Sequence, residues 1–260
     1  MVADTSLPQP QEATDAVVPA PRTRRPRAML AWSLGLVAAF ALMGLLVGLN
    51  PAAPFTQPLD DWWRALVGVS ADGSIHTSAV PMFFQHLGEG PGALVGVVLV
   101  PAVLAIVGRW RSGLFFLTVT LVGPGLFSQG MKNLVDRPRP AVDETLGLFG
   151  PLFRVDHGSF PSGHAVMAGA LVVGIAALIP ATRRTARTLW WTVGGLILLG
   201  MVWQRTLINA HWLSDTVFGL VAGIAGALLM WWAFWPLIQR DHGRPVWFCH
   251  LGRRHQPSPA

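Results

Sequence analysis

Six apolar runs separated by short polar connections dominate the chain: residues 28–49, 92–108, 113–129, 165–179, 189–208 and 216–238. Each predicts a helix. A helix needs about 20 apolar residues to cross the hydrocarbon core of a bilayer, and several of these runs are shorter. Two of the short ones border polar clusters, so helix is expected to continue past the apolar run and to set those clusters just inside one membrane face. The first run is too long for the apolar core of a secretory signal and reads as a membrane span. Residues 59–69 alternate Asp60, Asp61 and Arg64 with Trp62 and Trp63, an amphipathic pattern expected to lie along the outer interface. Residues 1–21 carry Pro, Ala, Thr and Gln without periodicity, which predicts a disordered tail. The expected organisation is an all-α, polytopic membrane protein: a tail over 1–27, a six-helix membrane domain over 28–240, and a second tail over 241–260.

Composition supports that class. Apolar residues make up 52% of the chain, charged residues only 12%, and twelve residues are tryptophan. A pI near 11.3 raises nucleic-acid binding, but the arginines are scattered between apolar runs instead of massed on one face. On the six-span reading thirteen of the nineteen cations fall on one side, which the positive-inside rule makes cytoplasmic together with both termini. The other side holds Arg64, Lys132, Arg137, Arg139, Arg154 and Arg205. Tryptophans at the ends of the runs, such as Trp32, Trp110, Trp191 and Trp231, predict an interfacial belt. Gly219 and Gly223 form a G-x-x-x-G expected to serve packing within the molecule. The single Cys249 excludes an intramolecular disulfide.

Chemistry concentrates in three clusters on the cation-poor side. Lys132, the one lysine in the chain, precedes Arg139-Pro140 by seven residues. Pro138 and Pro140 stop the helix, so Lys132 is expected at a helix end and Arg139 on an extended strip. Arginine offers a planar fork for phosphate oxygens and lysine a point charge. Pro161-Ser162-Gly163-His164 leads into the fourth run; Ser162 is placed to cap that helix, whose first amides form an anion site strengthened by the helix dipole. Arg205, His211 and Asp215 bracket the junction of the last two runs. A helix carrying His211 and Asp215 at i and i+4 would point both from one face, with the carboxylate fixing the imidazole tautomer. His86 and the Asp156-His157 pair also fall on this side and read as loop residues.

Taken together, these clusters resemble the signature of the type-2 phosphatidic acid phosphatase family, K-x6-R-P, P-S-G-H and S-R-x5-H-x3-D. Lys132 with Arg139-Pro140, Pro161 to His164, and Arg205 with His211 and Asp215 match it; Gln204 stands where the family has serine. The resemblance implies a membrane phosphatase in which His211 attacks phosphorus, Asp215 orients it, and His164 protonates the leaving group and then activates water. It implies that Lys132, Arg139, Arg205, Ser162 and Gly163 hold the phosphoryl oxygens, with no metal and no cofactor. Lipid phosphates are the implied substrates: polyprenyl diphosphates, phosphatidic acid, phosphatidylglycerol phosphate and their relatives. Arginine, alanine and proline bias points to a bacterial cytoplasmic membrane with the site on its outer face. A phosphotransferase using the same residues and a non-catalytic lipid-binding or transport protein are the alternative functions. Related vanadate-dependent haloperoxidases use similar residues but are soluble, which six apolar runs oppose.

Overall fold

The computed structural model describes residues 24–70 and 74–242. Among the described residues eight helices order the chain: α1 (Arg27–Gly48), α2 (Gln57–Val67), α3 (Ala79–Leu87), α4 (Gly90–Ile106), α5 (Trp110–Val135), α6 (Gly163–Leu178), α7 (Arg184–Leu207) and α8 (Leu213–His242). Among the described residues extended pairing is limited to two isolated bridges at Leu148. Most of the expected tails, including Cys249, lies outside the described residues. α8 runs two residues past the expected boundary at 240 and is tied there by Asp241, which accepts from the Ser112 amide at 2.8 Å and pairs with Arg111 at 3.3 Å.

All six apolar runs form helices. Four of them, α1, α5, α7 and α8, are long and apolar enough to cross a membrane, and α3 with α4, bent by 52°, passes as a fifth span. α6 has 16 residues, about 24 Å of helix at 1.5 Å per residue. It lies at the centre, packed closely against α8. A Cβ on Gly223 would stand 2.1 Å from the Val166 carbonyl oxygen, and one on Gly219 2.9 Å from Ala165 Cβ. The G-x-x-x-G therefore serves packing within the chain, as expected. Outward-facing leucines on α1 (Leu42 and Leu45, 56% and 62% exposed) fit a lipid solvent, since a soluble protein would leave such a surface uncovered only at high cost.

Two local departures position the site. α5 continues six residues beyond its apolar run, crossing Pro124 through a π-helical stretch, Gly123–Gln129, and so carries Lys132 in its last turn. The helix stops at Asp136, whose φ of 39° is left-handed. α2 forms where expected but presents its faces in an unanticipated way: Leu59, Trp62 and Leu66 face outward while Asp60 is buried against the bundle. Nor are all the tryptophans belt residues. Trp231 belongs to the core with Phe115, Phe116 and Ala170, because it faces α5 and α6 and not the surface.

Candidate active site

The ends of α3, α5 and α7 and the starts of α4, α6 and α8 meet at one end of the bundle around a cavity of about 340 Å³. Lys132, Arg139, Gly163, His164, Arg205 and His211, drawn from all three sequence clusters, line it. Lys132 and Arg205 are 2% and 3% exposed, so their charges face the cavity and not bulk solvent. Ser128 Oγ, His164 Nε2 and Arg205 Nε are buried without hydrogen-bond partners, and all three belong to cavity-lining residues. Unpaired buried polar atoms are costly, and several converging on one space define a place for a polar ligand.

His211 departs from its expected setting. It precedes α8, which begins at Leu213, and its Nδ1 lies 2.8 Å from the Ser159 carbonyl oxygen but 3.8 Å from Asp215 Oδ2. Asp215 is therefore not its hydrogen-bond partner. The tautomer still follows: a carbonyl only accepts, so Nδ1 carries the proton, and Arg139 Nη1 only donates to Nε2 at 3.1 Å. Burial first, then the charges of Arg139, Arg205 and Lys132, push the His211 pKa well below its ordinary value. The imidazole is thus neutral, with its Nε2 lone pair directed at Arg139, itself a cavity-lining residue.

Asp215 acts one step behind. It accepts from Arg137 Nη1 at 2.7 Å, from the Trp212 amide at 3.0 Å and from the Ser159 hydroxyl, so it fixes the segments on both sides of the imidazole. Arg137 in turn reaches Asp60 on α2 at 2.8 Å, and Asp60 accepts from the Ser214 amide at 2.8 Å. Neither Arg137 nor Asp60 was singled out by the motifs. The only hint was an arginine beside Pro138 and an acid on an amphipathic helix.

Ser162 occupies the N-cap position of α6 without a side-chain cap; its Oγ is buried and unbonded just behind Gly163. Its amide is used by the Asp215 carbonyl at 3.0 Å. Gly163 lies close to α5, where an added Cβ would stand 3.1 Å from Ser128 Oγ. His164 is roofed by Gly88, where a Cβ would fall 2.0 Å from its ring. Gln204, at the position where serine was expected, donates to Gln85 Oε1 at 3.1 Å; that oxygen also accepts from Arg205 Nη1 at 2.7 Å. His86 lies on α3 and not in a loop. Asp156 is in a loop as expected, but it is not idle: its carboxylate bonds both Lys132 and Arg139.

A cluster of buried cations, an open helix N-terminus and a neutral histidine thus gather at one end of a multi-pass helical bundle, an arrangement with the chemistry to hold an anion. Residues 113–239, which span that site, match the model of the PAP2 superfamily. This region of the chain belongs to the PAP2 superfamily, as the three motifs imply. The fold is similar to that of a solved protein described as the first transmembrane PAP2 type phosphatidylglycerolphosphate phosphatase from Bacillus subtilis. The TM-score is 0.62 over 76% of this chain and 93% of that one. At 21% identity the likeness is one of fold. No curated protein matches the chain by sequence.

Proposed function

We propose that the protein is an integral-membrane lipid phosphatase that works through a phosphohistidine, with six spans and its site at the outer face of a bacterial cytoplasmic membrane. The observation carrying this reading is the convergence of three distant motifs on one cavity whose buried donors lack partners. The cation-poor side of the chain is the side of that cavity, which supports the orientation. On this reading α6, 16 residues long and apolar, is the sixth span.

In the proposed reaction Lys132, Arg139, Arg205, Ser162 and the Gly163 amide hold the phosphoryl oxygens. His211 Nε2 attacks phosphorus, the P–N bond forms, and the bond to the lipid oxygen or bridging phosphate oxygen breaks. His164, protonated beside the bound substrate's negative charge, gives that proton to the leaving oxygen. It then takes a proton from water, whose oxygen attacks phosphorus, breaks the P–N bond and releases inorganic phosphate. Asp215 and Ser159 keep His211 aimed. Phosphoryl transfer calls chiefly for positioning and neutralisation of spread charge, which these cations supply without a divalent ion. A panel of lipid mono- and diphosphates offered to purified protein in detergent and excess chelator tests this. Release of free phosphate without an acceptor lipid is expected; none from any member of the panel, or release only when magnesium is restored, would overturn it.

A further inference from the structure

Asp156 has no role in that mechanism, yet it occupies the mechanism's anion-binding groups. Lys132 Nζ donates to both of its oxygens at 2.7 Å, and Arg139 Nη2 donates to Oδ1 at 2.5 Å. Gln129 Nε2 adds a 3.4 Å contact. Burial works to raise its pKa, but Lys132 and then Arg139 outweigh it and hold the carboxyl at about 2. Asp156 is therefore charged throughout the neutral range. A phosphate must compete with this carboxylate for both cations.

The carboxylate can leave without the loop opening. Arg139 Nε holds the Asp156 carbonyl at 3.1 Å, His157 bonds Asn133 at 2.9 Å, and the Ser159 amide donates to the Arg137 carbonyl at 2.7 Å. The loop is thus held at Asp156 itself and over the three residues that follow. The Asp156 side chain is itself 44% exposed, so rotation about its own bonds moves the charge from the cations into water.

We infer that Asp156 is a resident counter-anion of the site, a carboxylate that keeps Lys132 and Arg139 from filling with monoanionic phosphodiesters and yields to the more strongly bound phosphomonoesters and diphosphates. The inference rests on the lipid-phosphatase reading. A site near headgroup depth faces bulk phosphodiester lipid in large excess over any lipid monophosphate. A diester carries one negative charge, whereas a monoester carries about −1.5 to −2 near neutrality. Lys132, Arg139, Arg154 and Arg205, opposed by Glu89 alone, would hold both kinds of anion. A competing carboxylate lowers the apparent affinity of every anion by one common factor, the reciprocal of the fraction of open sites. That factor leaves the ratio of the two affinities unchanged, but it takes the weakly bound diester below saturation while the more strongly bound dianion still fills the site.

The test compares full-length wild type with D156N and D156A in detergent. Binding of inorganic phosphate is measured by calorimetry, and hydrolysis of a lipid monophosphate is measured in mixed micelles with added phosphatidylglycerol. Both variants are expected to bind phosphate about tenfold tighter or more. Phosphatidylglycerol is expected to inhibit the variants and spare the wild type. Unchanged or weaker phosphate binding would overturn the inference, as would tighter binding without diester inhibition, or equal inhibition of wild type. Agreement between the Asn and Ala variants separates lost charge from altered packing. A wild type that releases no phosphate would sink the enzymatic reading, while the binding comparison still decides whether the carboxylate competes.

Discussion

Arg137 and Arg205 are buried at the same end of the bundle in opposite surroundings. Arg137 meets Asp215 at 2.7 Å and Asp60 at 2.8 Å, with Ser214 and Gln57 bonded to the same two terminal nitrogens, while its Nε, like that of Arg205, has no partner. Arg205 has no ion pair among the described residues; one nitrogen reaches Gln85 and its Nε has no partner. A buried ion with its counter-charges in place is a clamp, and removing one member leaves the rest uncompensated. A buried cation short of counter-charge attracts an anion from outside. Placement of carboxylates, not the number of arginines, separates scaffold from site here.

His211 stands on the border between the two regions, backed by Ser159 from the clamp and faced by Arg139 from the cavity. His211→Ala is expected to remove phosphate release by about 10⁴-fold or more with folding retained, read by turnover and by thermal melting. Substantial residual turnover would move the nucleophile elsewhere.

Next in size is the contrast between the two arginines. Arg205→Ala is expected to lower kcat/KM by about 10²–10³, the scale for loss of one preorganised charge donor, with little change in melting temperature. Arg137→Ala is expected to destabilise the fold by about 3–5 kcal/mol and lose activity with it. The opposite assignment of stability and activity would reverse the comparison.

The spans and the cavity-facing motifs were legible in the sequence for different reasons. Hydropathy marks helices that are apolar all round, whether they face lipid or are enclosed by neighbours, so even the short, enclosed α6 was visible. Motif spacing marked Lys132, His164 and Arg205 because helix ends must fall near prolines and glycines. The clamp was not legible. Arg137 and Asp60 are 77 residues apart, and no local pattern announces a long-range pair. The i,i+4 spacing of His211 and Asp215 misled for a related reason: the helix begins two residues after His211, so helical geometry does not apply to it. Asp156 looked like an ordinary loop acid because only the folded chain brings it to Lys132.

Smaller effects refine the cavity side. Gly88→Ala places a methyl against the His164 ring and is expected to reduce kcat about tenfold or more while phosphate still binds. Full activity in that variant would show that His164 tolerates displacement. The finest test is pH. Neutral His211 is the reactive form, and burial plus three cations lower its pKa, so the acid limb of kcat/KM should lie below pH 6.5. Arg139→Gln removes the nearest positive charge, the pKa rises, and the limb should move to higher pH. The same lowered pKa makes the fold lose stability as pH falls below about 6.5, because the unfolded chain takes up the proton first.

The decisive measurement is a rapid quench of the enzyme with a lipid diphosphate labelled in its terminal phosphate, in the His164→Ala variant. A diphosphate leaves readily without an acid, so attack should proceed while hydrolysis of the enzyme-bound phosphate stalls. Base-stable, acid-labile phosphate mapped to His211 is the expected outcome. Label on another residue, or released phosphate with no bound label at any time point, would contradict attack by His211 within the shared cavity.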